Sequence, residues 1–218
     1  MCFSATASFG ASSILAVAGI ASLKKAENKS QILFASIPII FSIQQFTEGF
    51  VWLSLTHSDY NHWQNILINI FLSLAQVVWP IWVPLSILLL EKNTKRRKAM
   101  KIFLSLGILL AAFLAHRLLF YHATAEITPY HIHYALDFPY EQYTIILSIF
   151  YFLTTIVPPF LSDAKRMTSL GLLNLTSFII TIVFFENYVV SVWCFFSALI
   201  SWEVFLVMKN LNIKMQNI

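Results

Sequence analysis

Apolar residues along this chain gather in long stretches closed by charged or turn-forming residues, and inside the stretches they occupy nearly every position. A helix crossing a hydrocarbon layer ~30 Å thick needs about 20 mostly apolar residues. Seven stretches of that size are present, and they predict spans at about 6–23, 31–55, 63–90, 102–121, 141–161, 168–185 and 188–208. The third is long enough to tilt. The last two are separated only by Glu186 and Asn187, which makes them an antiparallel pair. A membrane barrel would alternate apolar and polar residues over segments of about ten, whereas residues 145–153 and 178–185 are apolar throughout except for Ser148 and Thr181. The first span has no basic stretch before it and its lysines follow it, the reverse of a secretory signal, so it is expected to stay as a membrane helix.

Composition agrees with this pattern. Only 11% of residues are charged and 58% are hydrophobic, against roughly 25% charged in ordinary soluble domains, which excludes a soluble globular or disordered chain. The two cysteines rule out a multiply disulfide-stapled secreted scaffold. The whole chain, 1–218, therefore reads as one all-α membrane domain, a bundle of seven transmembrane helices.

The basic residues orient it. Thirteen of the fourteen Lys and Arg residues fall in alternate loops: Lys24, Lys25 and Lys29, then the run from Lys92 to Lys101, then Lys165 and Arg166, then Lys209 and Lys214. Lys and Arg in short loops are retained on the cytoplasmic side, so the N-terminus is expected outside and the C-terminus in the cytoplasm. The cluster at 92–101 is read as a topology determinant in contact with anionic membrane lipids, and no nucleic-acid role is expected.

The fourteenth, Arg117, lies inside the fourth span, and ionisable groups within spans are functional candidates because burying them is costly. Glu48 lies seven residues from the outer end of the second span, roughly 10 Å deep at ~1.5 Å per residue. Gln44, Gln45 and Trp52 share its helix face by their spacing. His116 and Arg117 lie at a similar level, so a Glu48–Arg117 ion pair is expected, and Cys194, with Ser191 and Trp193, belongs to the same layer. Asn174 and Glu203 are the polar residues on the other side. Pro80, Pro84, Pro158 and Pro159 are expected to kink the third and fifth spans, and Trp63, Tyr121 and Tyr188 to sit in an interfacial belt.

Outside the spans, His131 and His133 alternate in an extended segment. With Cys2, Cys194, His116 or Glu48 they can supply the ligands of a zinc or copper site. A Cys2–Cys194 disulfide is the competing use of the thiols. Retinal is not expected, since the seventh span has no lysine before Lys209, and haem b is not expected, since His116 is the one histidine within a span.

The blocks Met1-Cys2-Phe3-Ser4-Ala5-Thr6-Ala7-Ser8-Phe9, Gln44-Gln45-Phe46-Thr47-Glu48-Gly49-Phe50-Val51-Trp52, Val78-Trp79-Pro80, His131-Ile132-His133-Tyr134 and Ser191-Val192-Trp193-Cys194-Phe195-Phe196 resemble an uncharacterised bacterial family of multipass membrane proteins. The resemblance implies a bacterial plasma membrane location and no particular reaction. The functional expectation is an outward-facing polar pocket that binds a small molecule, a lipid headgroup or a metal ion, in a sensor, receptor or transport-related protein. The pocket would be built from spans one, two, four and seven and covered by the 122–140 loop. The alternative is a membrane-embedded enzyme, such as a metal-dependent hydrolase, with Glu48, His116 and Arg117 as its catalytic set.

Overall fold

The computed structural model describes residues 4–128, 131–139, 141–185, 188–193 and 196–216, with backbone only for Glu141 and residues 212–216. It contains seven helical segments long and apolar enough to cross a membrane: Ala5–Leu23, Lys29–Thr56, Ser58–Leu90, Thr94–Phe120, Thr144–Leu161, Met167–Phe185 and Val189–Leu211. Each overlaps one of the expected stretches. The largest shift is in the fourth, which starts at Thr94 because the basic run winds as helix. The Asn93 side chain caps it, accepting from the backbone N–H groups of Lys95 and Arg96 at 2.9 and 3.3 Å.

Four of the seven segments are interrupted. The first is one helix, α1 (Ala5–Leu23), capped by Ser4, whose side chain accepts from the Ala7 N–H. The second divides into α2 (Lys29–Ala35) and α3 (Ile37–Thr56). Pro38 has no N–H for the preceding turn, and the chain breaks just ahead of it. The third runs from a 3₁₀ turn (Ser58–Trp63) through α4 (Gln64–Leu72) and a π-helical turn (Ser73–Val78) into α5 (Trp79–Leu90). After α6 (Thr94–Phe120), the fifth segment is α7 (Thr144–Thr155) followed by a 3₁₀ turn, Pro158–Leu161. Then come α8 (Met167–Phe185), α9 (Val189–Trp193) and α10 (Ser197–Gln216).

Neighbouring segments serve the carbonyls that these interruptions release. At the α2/α3 break, Leu33 O accepts from the Ser36 hydroxyl at 2.8 Å and from Trp82 Nε1 on α5 at 3.0 Å. In the π turn, Ala75 O would need the N–H five residues on, which is Pro80 and has none. It accepts instead from the Tyr151 hydroxyl on α7 at 2.6 Å. Pro159 cannot serve Thr155 O, and Asn174 Nδ2 on α8 donates to it at 3.3 Å. Pro84 likewise leaves Pro80 O without its helical donor. This carbonyl meets α6 at Gly107, where a Cβ would collide with it. The approach fits a Cα–H···O contact.

Small residues also set the α1–α3 contact. Ser8, Ala11, Ser12, Leu15, Gly19 and Ser22 form the buried stripe of α1. Ser12 and Ser42 clamp the helices reciprocally, each hydroxyl donating to the other's backbone carbonyl at 2.9 and 2.8 Å. A Cβ on Gly19 would strike Ile39, and one on Gly49 the Phe9 ring. The small residues of the first span thus pack within the bundle, as in helix pairs held by close backbone approach.

The 122–140 segment is more than a loop. It forms an antiparallel hairpin, β1 (Ala123–Thr128) and β2 (His131–Leu136), with Ala123 opposite Leu136 and Thr128 opposite His131, which adds a two-stranded sheet to the expected all-α bundle. Its Ala-Thr-Ala-Glu-Ile-Thr and His-Ile-His-Tyr-Ala-Leu runs carry the period of two that strands require. Ala123, Ala125 and Ile132 pack with Val51, Trp52, Phe71 and Leu118 into a core at the hairpin end of the bundle. Tyr134 stacks on Phe71 with centroids 4.8 Å apart. A second core at the other end joins Phe34, Met100, Met167, Val204 and Met208.

Gly107 provides a test of this packing. In an isolated helix Gly→Ala is favourable by about 1 kcal/mol. Gly107→Ala is expected instead to destabilise the bundle, by roughly 1–3 kcal/mol as overpacking, read as a lowered melting temperature in detergent.

Candidate functional site

Glu48 is fully buried on α3. Its Oε2 accepts from Gln45 Nε2 at 3.1 Å and its Oε1 from the Ser191 hydroxyl on α9 at 2.8 Å. The i, i+3 spacing on one helix supplies the first contact, and the approach of the short α9 supplies the second. Gln44, one turn below Glu48, accepts from Trp79 Nε1 of α5 at 2.9 Å. Two further polar atoms on this face, Gln45 Oε1 and Trp52 Nε1, are buried without a hydrogen-bond partner among the described residues, as is the Ser8 hydroxyl on the buried stripe of α1. Buried polar atoms are rarely left so. A carboxyl group, an open acceptor and an open donor therefore share one helix face.

The expected partners of Glu48 are only partly assembled. No ion pair joins it to Arg117, which instead places its guanidinium 4.3 Å from the Phe138 ring centroid. Phe138 also meets Phe113 and Tyr121 edge-on, so this α6 face holds the segment after β2 by cation–π and aromatic contact. Arg117 Nε is buried without a hydrogen-bond partner among the described residues. His116 is exposed and packs on Phe120, one turn along, at 4.5 Å. The helix turn that carries Arg117 toward Phe138 carries His116 to the outside of the bundle, so Glu48, His116 and Arg117 do not form one set. Trp193 donates from Nε1 to the Ser177 hydroxyl at 3.2 Å and packs against Tyr151 and Phe178, facing α7 and α8. Ser191, two residues earlier, is the α9 residue that reaches Glu48.

His131 and His133 point to the same side of β2, as their alternation predicts, and that side is the one opposite Ile132 and the core. Both rings meet Tyr188, at 5.0 and 6.3 Å, and His131 also meets Phe185. Among the described residues no three His, Cys, Asp or Glu side chains come together as a metal site. Cys2 and Cys194 lie outside the described residues, so the disulfide and the thiol ligands are not addressed by these contacts. Burial lowers the His131 pKa below its ordinary 6.5.

Sequence reasoning named Glu203 at the basic end but not the polar contacts made there. Glu91 is buried and accepts from the Asn93 N–H at 3.0 Å, the Ser162 hydroxyl at 3.1 Å and the Asp163 N–H at 3.2 Å. Burial by itself would raise its pKa, but these donors outweigh it and hold the carboxyl below its ordinary 4.5. Arg97 donates to the carbonyls of Leu88 and Glu91, and Arg96 to that of Leu161 while pairing with Asp163 at 2.6 Å. Glu203 on α10 forms a two-pronged pair with Arg166, both contacts 2.8 Å. Arg166 stands in the left-handed region at φ 71°, a conformation that costs a non-glycine residue energy and turns the chain into α8. The signal that could have found this cluster is Glu91 itself, an acid bordering an apolar stretch and adjoining a basic run.

Residues 1–216 match a family of unknown function (DUF6629), and the chain belongs to that family. No curated protein and no solved structure matches it.

Two outcomes follow from these geometries. A depressed histidine pKa means the unfolded chain binds the proton more readily, so the His131 contribution to stability is complete above pH 6.5 and declines as pH falls below it. Thermal scans between neutral and mildly acidic pH are expected to show this decline, and His131→Gln to flatten it. Glu91→Ala leaves three donors without their acceptor and is expected to cost roughly 1–3 kcal/mol, measured by urea or thermal denaturation. The contribution of Glu91 is present at neutral pH and is lost as pH falls through its depressed pKa.

Proposed function

We propose that this chain is a multipass protein of the bacterial plasma membrane, with the N-terminus and the β-hairpin outside, and that the polar face around Glu48 binds a small polar molecule or lipid headgroup in a sensing, receptor or transport-related role. The placement of thirteen of fourteen basic residues in alternate loops supports the orientation. One observation carries the binding assignment: Gln45 Oε1 and Trp52 Nε1 are buried without hydrogen-bond partners on the helix face of the fully buried Glu48. An unmade hydrogen bond in the interior costs about 1–3 kcal/mol. A ligand that donates to Gln45, accepts from Trp52 and engages the Glu48 carboxyl removes that cost. No observation favours the catalytic alternative, since His116 is turned away from Glu48.

Native mass spectrometry of the detergent-purified chain, with elemental analysis alongside to reveal any bound zinc or copper, tests the assignment. The wild type is expected to retain a small molecule that Glu48→Gln and Trp52→Phe each lose, both variants keeping the wild-type helical circular dichroism. Identical retention in all three, or none in the wild type, rejects it.

A further inference from the structure

A cavity of about 360 Å³ lies between the third and fourth segments, lined by Asn69, Ser73, Val77, Ala115, Leu118 and Leu119. Its position has a structural origin. Ser73 and Val77 belong to the π turn, where one extra residue widens the helix and pushes its wall outward; such turns often mark functional sites. Opposite them α6 presents the small Ala115. The cavity is a groove open to the bundle perimeter, because Leu118 is 8% exposed at its floor while Leu119 is 80% exposed at its rim. The surface around the opening is apolar, with Ile66, Ile70 and Phe120 all exposed.

One atom in the groove is out of place in an apolar wall. Asn69 Oδ1 is buried and has no hydrogen-bond partner among the described residues. It lies six residues beyond Trp63 in the third segment, roughly 9 Å along the helix at ~1.5 Å per residue. That depth is where the polar and acyl parts of a lipid meet.

We propose that this groove binds a neutral amphiphile that carries a hydrogen-bond donor, in class a long-chain alcohol or a diacylglycerol. The donor reaches Asn69, and the chain lies along Val77, Leu118 and Leu119. None of the six lining residues carries a charge, so nothing in the wall would neutralise a phosphate. A bare alkyl chain would cover the Asn69 oxygen without satisfying it, which is unfavourable for a buried acceptor. Ligand entry is then lateral, from the bilayer. This inference rests on the membrane reading but not on ligand binding at Glu48.

The test uses the full chain in phosphatidylcholine nanodiscs with two photoactivatable probes, a diazirine-bearing dioctanoylglycerol and a chain-matched diazirine phosphatidylcholine. Peptide mapping is expected to place the diacylglycerol label on the groove residues in clear excess over the phospholipid label. Asn69→Leu is expected to reduce that label roughly tenfold, the scale of a lost hydrogen bond to a buried acceptor, and Ala115→Phe to remove it by filling the groove. The comparison between probes is made on the wild type and needs no variant to fold. Equal labelling by the two probes, or labelling indifferent to Asn69→Leu, means ordinary contact with surrounding lipid and overturns the inference. A chain that does not enter the discs overturns the membrane reading and this inference with it, whereas insertion without selective labelling overturns this inference alone.

Discussion

Apolar surroundings leave a backbone carbonyl no solvent to turn to, and the packing of this bundle follows from that constraint. A helix in hydrocarbon must satisfy its own hydrogen bonds or borrow donors from a neighbour. The chain places prolines in the second, third and fifth segments, and around each interruption a different segment provides the remedy. Trp82 serves Leu33, Tyr151 serves Ala75 and Asn174 serves Thr155, while Gly107 gives up its side chain so that Pro80 can approach. These are the contacts that tell segments two to six where to lie, since apolar faces alone discriminate poorly between one neighbour and another.

The same constraint explains the two ends. At the basic end, Arg96 and Arg97 close the carbonyls left by the ends of the third and fifth segments, and Glu91 accepts from the Ser162 hydroxyl and the Asp163 N–H in the turn after Leu161. Part of the positive charge at this end is thus committed to structure, leaving the lysines of the run to face outward. At the hairpin end, the β-strands serve each other's backbone groups and bury Ile132 over Val51 and Trp52. The hairpin therefore roofs the layer that contains Glu48. Arg117 contributes by holding Phe138 beside α6 rather than by neutralising an acid.

Most polar groups are thus served, and three of those left open lie at the two candidate sites. Gln45 Oε1 and Trp52 Nε1 near Glu48, and Asn69 Oδ1 in the groove at the π turn, have no hydrogen-bond partner among the described residues. One site is internal and close to a carboxyl group, which suits a polar ligand. The other opens on the perimeter and lacks charge, which suits a lipid.

The seven segments were legible in the sequence because hydrophobic length and loop charge are local properties, each readable from about twenty consecutive residues. Glu48, Gln44 and Gln45 were legible for a related reason: a polar side chain inside an apolar stretch must face inward, and helical spacing says which of its neighbours share that face. Partner choice was not legible. Depth along a helix placed Arg117 and His116 level with Glu48, but their azimuth depends on how α6 rolls against Pro80, and that is decided by Gly107 meeting a carbonyl from another segment. The hairpin hid inside a mixed segment because its short strands carry a weak periodic signal, and the role of Ser191 appeared only once α9 was set beside α3. Local sequence determined what must be buried; tertiary packing decided what each buried group touches, since donors and acceptors separated by many residues become neighbours only when the helices are assembled.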